Sequence, residues 1–186
     1  MNKKISFFKE AVKNYKTSGT LVPSSRYLAN RMLNSINFSK AMVIVELGPG
    51  NGAITKSILE KIQPHTTLIC FEINDAFYEE LKEINHSQII LIKDSAENII
   101  EQLQKLGFNE ADYIVSSLPL TIIPKKISTN ILQKSYTILR KKGLFIQYQY
   151  SLTYYKKLKK VFGKNITLDF ETFNFPPAFV YKCAKK

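Results

Sequence analysis

The sequence predicts an α/β protein: a mostly parallel seven-stranded sheet that finishes in an antiparallel hairpin. Three observations predict it. Between residues 41 and 150, short apolar runs alternate with segments of helical period. A glycine-rich break separates the first run from the first helical segment. After residue 160 the alternation stops, and two strand-like runs follow with only Phe175, Pro176 and Pro177 between them, too short a link for a helical crossover.

Taken in order, residues 1–35 predict amphipathic, capping helices. Ile5, Phe8, Val12 and Tyr15 follow helical spacing, and Lys4, Lys9, Lys13 and Lys16 occupy other faces. Such a helix either packs on the body of the protein or lies at a lipid headgroup boundary. The opening also resembles a signal peptide, but Lys9 and Glu10 cut its apolar stretch short. Residues 41–47 form a continuous apolar run, the mark of a strand covered on both faces. A helix follows over 53–62, with Ile54, Ile58 and Ile62 on one face. Strand 67–72, helix 75–84 (Asp75 a capping residue), strand 88–92 and a helix to 106 come next. Strand 112–116, helix 124–139 and strand 143–150 complete the alternation, and the Lys-rich segment 156–160 receives no element. The hairpin strands are read at 166–175 and 178–183.

The chain has 186 residues, 45% of them hydrophobic, which suits one domain spanning 1–186 with an ordinary core. Cys70 and Cys183 both sit in apolar runs, which fits a reducing compartment and excludes a disulfide scaffold or a Cys-based zinc site. No run reaches the ~20 apolar residues of a membrane span. The net charge of +12 is uneven: residues 1–40 carry eight Lys/Arg and one acid, 41–139 eight and twelve, and 140–186 eleven and two. Basic ends of this kind meet phosphates, of nucleic acid or of an anionic membrane, or simply keep the protein soluble. Half of the Phe and Tyr residues fall in 145–186, as a pocket, an interfacial surface or strand core would require.

The chemistry concentrates in Val45-Glu46-Leu47-Gly48-Pro49-Gly50-Asn51-Gly52. Glycines in a strand-to-helix turn let backbone approach a ligand with no Cβ in the way, beside the unpaired N–H groups of the helix start. Glu72 ends the second strand, 20 residues after Gly52, where a carboxylate can accept both hydroxyls of a ribose. Asp94, Ser95 and Ala96 end the third, where an adenine would lie; a helix cap is the lesser alternative for Asp94. All three loops follow carboxyl ends of parallel strands, the ligand edge of open α/β sheets. Gly48, Gly50 and Ala53 also satisfy a loose dinucleotide pattern. Glu46 argues otherwise, since a carboxylate there repels a pyrophosphate and suits a ligand with an amino group and a sulfonium. His65 and His86 fall in loops at the opposite edge, and no His/Asp/Glu group has metal-ligand spacing.

The glycine string resembles motif I of the S-adenosyl-L-methionine-dependent class I methyltransferases, with Glu72 as the motif II acid and a Rossmann-like fold implied. The resemblance implies cofactor contacts from Glu46, Gly48, Gly50, Gly52, Glu72, Ile73, Asp94, Ser95, Ala96 and Ser116. In that class the loop after the fourth strand faces the transferred methyl. Nucleobase-amine methylases carry there an Asn or Asp, then Pro-Pro or Leu-Pro, then an aromatic. Here Ser117-Leu118-Pro119-Leu120 has neither the amide nor the ring.

With that loop, the segments Phe145-Ile146-Gln147-Tyr148-Gln149-Tyr150 and Phe175-Pro176-Pro177-Ala178 resemble the bacterial phospholipid N-methyltransferases. So do parts of residues 7–29. This family is related in fold to the rRNA adenine dimethylases but lacks their C-terminal helical domain; the chain departs from it at Gln149, where a small hydroxyl residue is usual. The resemblance implies methylation of a phospholipid amine, phosphatidylethanolamine first, at the cytoplasmic face of the cell membrane. It implies an anionic membrane as partner, a monomer, and no specific nucleic acid. Tyr150 and Ser117, then Tyr148 and Tyr27, are the implied acceptor-side residues. The rival functions are an RNA adenine N-methyltransferase and a non-catalytic membrane- or RNA-binding protein on the same fold.

Overall fold

The apolar run Val43–Leu47 becomes β1, buried at every position, and its neighbours on both sides are parallel strands. The structure is a computed structural model that describes residues 24–186; the predicted amphipathic stripe of residues 5–16 lies outside the described residues. Helix α1 (Arg26–Leu33) precedes β1, and Ser25 caps it by accepting from the Leu28 N–H. After β1 come α2 (Ala53–Leu59), β2 (Thr67–Phe71), α3 (Asp75–Lys82) and β3 (Ile89–Ile92). A 3-10 turn at Ala96–Asn98 leads into α4 (Ile99–Lys105), followed by β4 (Ala111–Ser116), α5 (Lys125–Ile138) and β5 (Leu139–Gln149). A second 3-10 turn, Leu152–Tyr154, opens α6 (Tyr155–Phe162), and β6 (Ile166–Glu171) and β7 (Ala178–Ala184) close the sheet.

Strand order is β3-β2-β1-β4-β5-β7-β6 in one seven-stranded sheet. β1 to β5 are mutually parallel, and β7 runs antiparallel between β5 and β6. The predicted fold class is the one observed. Reversal of order at β1 and β4 makes the switch point where open α/β sheets take ligands.

Side-chain alternation sorts the core into two layers. One face of the sheet packs Val45, Ile114 and Phe145 with Ile99, Ile131 and Phe162; the other packs Ile44, Val115 and Ile146 with Leu28, Met32 and Ile58. Several boundaries differ from the sequence reading: β5 begins at Leu139 and not at 143, and helix α2 ends at Leu59 and not at 62. The Lys-rich segment is helix α6, because Leu158 and Phe162, four residues apart, are buried while Lys156, Lys159 and Lys160 are exposed. β6 stops at Glu171 and not at 175, because Asn174 turns inward: it is 4% exposed, accepts from the Ser25 N–H and donates to the Pro176 carbonyl.

Helix α1 is bound to the hairpin by polar contacts. Arg31 Nε lies 3.1 Å from Glu171 Oε2. Buried Lys182 donates to Asn34 Oδ1 and Asp169 Oδ2. At the opposite edge of the sheet, Asp112 accepts from the Met42 and Val43 N–H groups, each at 2.8 Å, fixing the entry to β1. His65 and His86 lie at that edge too, and no metal-binding group of His, Cys, Asp or Glu occurs among the described residues.

Candidate active site

The β1–α2 turn forms the floor of the site. Gly48, Gly50 and Gly52 have φ of 69°, 60° and 79°, values that cost an L side chain free energy. Gly48 has a second reason: a Cβ there would stand 2.7 Å from Leu118 Cδ2, so the β1 and β4 loops close on each other only over hydrogen. At Gly50 the nearest atom to a Cβ, Phe77 Cε2, is 3.8 Å away; the space is open, and its N–H is held by Glu72, which lines the pocket.

Glu72 ties this turn to β2. Its Oε2 accepts from the Gly50 N–H at 3.1 Å and its Oε1 from the Asn74 N–H at 2.7 Å. The two N–H groups set the plane and aim of the carboxylate, as a two-point contact with ribose hydroxyls requires. Asp94 accepts from the Ser95 N–H and from the side-chain amides of Asn98 and Gln102. It therefore braces the β3 loop, and Ser95 caps the 3-10 turn by accepting from the Glu97 N–H. Gly48, Glu72, Ile73, Asp94, Ser95 and Ala96 line one pocket together with Phe71 and Leu118. The sequence reading omitted those last two. Phe71 is apolar and reaches the pocket from β2 with nothing in its local sequence to mark it; Leu118 falls in the 117–120 loop, which the sequence marked for the acceptor and not for the cofactor.

Glu46 lies beneath the turn, on the α1 and α2 side of the sheet, fully buried. Oε2 accepts from Thr55 Oγ1 at 2.7 Å and from the Cys70 thiol, and Oε1 is buried with no partner among the described residues. Burial pushes its pKa up to about 7; the two hydrogen bonds oppose this and nearby Glu72 adds to it. Burial and the neighbouring Glu46 likewise push the Cys70 thiol up. A buried carboxylate with an unmatched oxygen awaits a cationic or hydrogen-bonding partner. These acceptors and the lining fit S-adenosylmethionine: Glu72 would take the ribose, the β3 loop with Ile73 the adenine, and Glu46, beneath the turn, its amino end.

The acceptor side begins at β4. Ser116 is fully buried. The Ser117 N–H donates to the Leu47 carbonyl at 2.9 Å, and its hydroxyl is buried without a partner among the described residues. The Leu118 carbonyl accepts from Gln147 Nε2 at 3.1 Å, Gln149 Nε2 at 3.3 Å and the Leu120 N–H at 2.8 Å. Two glutamines at i and i+2 on β5 therefore hold the 117–120 loop. Spacing two apart in an apolar strand was the available signal, since both amides must fall on one face. Leu120 is fully buried and presents no surface for a base. Tyr148 and Tyr150 meet edge to face at 5.7 Å and pack on the α1 side of the sheet. Tyr27 is 60% exposed and stacks against Phe173 at 5.3 Å. These three tyrosines do not line the cofactor pocket.

Comparison with known proteins adds four findings. The profile of the family described as ribosomal RNA adenine dimethylase matches residues 22–164. The chain is similar to an ornithine lipid N-methyltransferase of Singulisphaera acidiphila: 31% identical over 166 residues, 88% of this chain and 86% of that protein. It is 25% identical to ribosomal RNA small subunit methyltransferase A of Ureaplasma urealyticum, over 72% of this chain and 53% of that protein, so it spans about half of the rRNA enzyme. Among solved structures, precorrin-6y C5,15-methyltransferase of Geobacter metallireducens superposes with a TM-score of 0.71 at 12% identity, covering 90% of this chain and 93% of that one. That last likeness concerns the fold alone.

Proposed function

The chain belongs to the rRNA adenine dimethylase family and is an S-adenosylmethionine-dependent methyltransferase, and from that premise we propose that it N-methylates the amine of a membrane lipid headgroup. One observation carries the choice of acceptor. The loop 117–120 offers no side-chain amide to a base edge, its Leu120 is buried, and the Leu118 carbonyl is already bonded by three donors. A flat base has nothing here to be read by or to stack on. A flexible primary amine needs only room and a few orienting groups.

When bound, the cofactor supplies an activated methyl on a sulfonium. The chain's residues then have three tasks. Glu46, Glu72 and the β3 loop hold the cofactor in place. Gln147 and Gln149 keep the acceptor loop rigid, so that alignment carries much of the rate. Ser117 and Tyr150, with Tyr148 and Tyr27, orient the amine or its phosphate, and aromatic faces suit a growing methylammonium charge. Such an amine has a pKa of roughly 10, near that of lysine, so desolvation in the cleft must favour its neutral form.

Phosphatidylethanolamine is the first candidate acceptor, and the ornithine lipid named for the Singulisphaera relative is the second; both present a primary amine on a lipid. The place of action in this reading is the cytoplasmic face of the membrane. The basic ends and the stripe of residues 5–16 support it, and no described helix is long and apolar enough to cross a bilayer. The test is a radiolabelled methyl-transfer assay offering vesicles of either lipid and total RNA side by side. We expect label in lipid and none in RNA, and Tyr150→Ala to cut turnover far more than cofactor affinity, with Ser117→Ala a smaller effect of the same kind. Label in RNA adenines with none in lipid would overturn the reading.

A further inference from the structure

We propose that the rim formed by the β4–α5, β5–α6 and β6–β7 loops is a membrane-docking surface, which inserts Phe173 and Phe175 into a bilayer containing anionic lipid. This goes beyond the lipid-amine reading, on which it rests for the identity of the partner, because it assigns the surface to described residues other than the N-terminal stripe.

Topology gathers these loops. β4 and β5 are parallel, so the segments 117–124 and 150–154 leave from the same edge of the sheet. Pairing of Gln149 with Phe179, and of Glu171 with Ala178, brings segment 172–177 to that edge as well. It is the edge on which the cofactor pocket opens. The loops expose large apolar side chains there: Phe175 is 80% exposed, Phe173 73%, Leu152 49% and Ile122 38%. Tyr27 extends the patch by stacking on Phe173. Clustered apolar exposure of this kind marks an interaction surface.

The two phenylalanines are held outward. Between them Asn174 is buried, bonded to the Ser25 N–H and the Pro176 carbonyl, and the Phe173 N–H donates to Glu171 Oε1. A loop pinned at its middle presents its flanks with little ordering left to pay on insertion.

Charge selects the occupant. Lys125 and Lys126 open α5, and Lys156 and Lys157 open α6, on the same edge. No acid occurs in 117–126, 150–157 or 172–177. Of the acids at this edge, Glu171 is buried and paired with Arg31, and Glu72, Asp75, Asp94 and Glu97 stand with β2 and β3. Apolar tips within a lysine frame match an anionic bilayer, the tips entering the acyl boundary and the amines the headgroup layer. A second copy of a chain carrying +12 would be repelled from such a frame.

The chain has no tryptophan, so Phe175→Trp in the full chain is a unique reporter. With vesicles containing phosphatidylglycerol we expect its emission to shift to the blue and to be quenched by brominated acyl chains. Phosphatidylcholine vesicles should give much less of both. Phe173→Ser with Phe175→Ser should lower vesicle co-sedimentation about tenfold or more, the loss of buried aromatic area. Melting temperature and turnover on a dispersed short-chain lipid amine should stay at wild-type values. Unshifted F175W emission on vesicles that pellet the protein would overturn the proposal. So would blue emission before vesicles are added, which means that the chain's own residues or a second copy cover the site, or a double variant that binds as wild type does. Failure of the lipid-amine reading is separate: it shows as no methyl on the short-chain lipid, while the binding measurements stand.

Discussion

At the scale of single residues, Glu46 sets stability against binding. Its folded pKa of about 7 lies above the unfolded 4.5, so between these values the folded chain holds more protons than the unfolded one. The stability this group contributes is therefore fully present below pH 4.5 and is lost as pH rises through about 7. Glu46→Gln should flatten that slope and, without cofactor at pH 8, raise stability by roughly 1–3 kcal/mol. The same change should weaken S-adenosylmethionine binding. Urea titrations at several pH values with parallel calorimetry check both, and a variant less stable at pH 8 would contradict the argument. Glu72→Ala loses charge-assisted bonds worth roughly 1.5–3 kcal/mol each, and Gly50→Val places a branched side chain at φ 60° in the turn that Glu72 holds. Each should abolish measurable cofactor affinity while the fold persists by circular dichroism. These residues were legible in sequence because their chemistry is local: a turn rich in glycine, and an acid at a strand end. Phe71, Leu118 and the Gln147–Gln149 grip were not, because their roles arise from contacts between strands.

Among elements, the clearest coupling joins α1 to the C-terminal hairpin. Glu171 accepts from both Arg31 and the Phe173 N–H, so one carboxylate serves a helix, a strand and a loop. Glu171→Ala should cost about 1–2 kcal/mol, because Arg31 is partly exposed and its ion pair is screened. Glu171→Gln, which keeps an acceptor for the Phe173 N–H, should cost less. A shift of the urea midpoint at constant slope reads this out; equal losses for the two variants would assign the whole effect to charge. Element order and type were legible wherever a periodic run stood between turn residues, as in 41–62. They failed in two places. In 156–160 the lysines hid the spacing of Leu158 and Phe162. At 172–175 the inward turn of Asn174 ended β6, a tertiary contact with no local signal.

Over the whole molecule, charge is polarised. The exposed acceptor half of the sheet edge is basic and apolar; its acid Glu171 is buried and paired with Arg31, and the other acids of that edge stand with β2 and β3. Binding to anionic vesicles should therefore weaken as salt rises. Replacing Lys9, Lys13 and Lys16 together by Glu should weaken it strongly at any one salt concentration. Vesicle pelleting across a sodium chloride series checks this, and equal pelleting with neutral and anionic vesicles would refute the electrostatic part. RNA should bind the same basic surface with a steep salt slope and receive no methyl. The strand order has a consequence in time as well as in space. β6 joins the sheet only through β7, and β7 occupies the outer side of β5. A nascent chain that has emerged only as far as α6 thus carries β5 as an open edge, the kind of edge that recruits foreign strands. That edge stays open until residues 178–184 pair with it, so the delay between the emergence of β5 and that of β7 sets how long the unfinished sheet must be shielded.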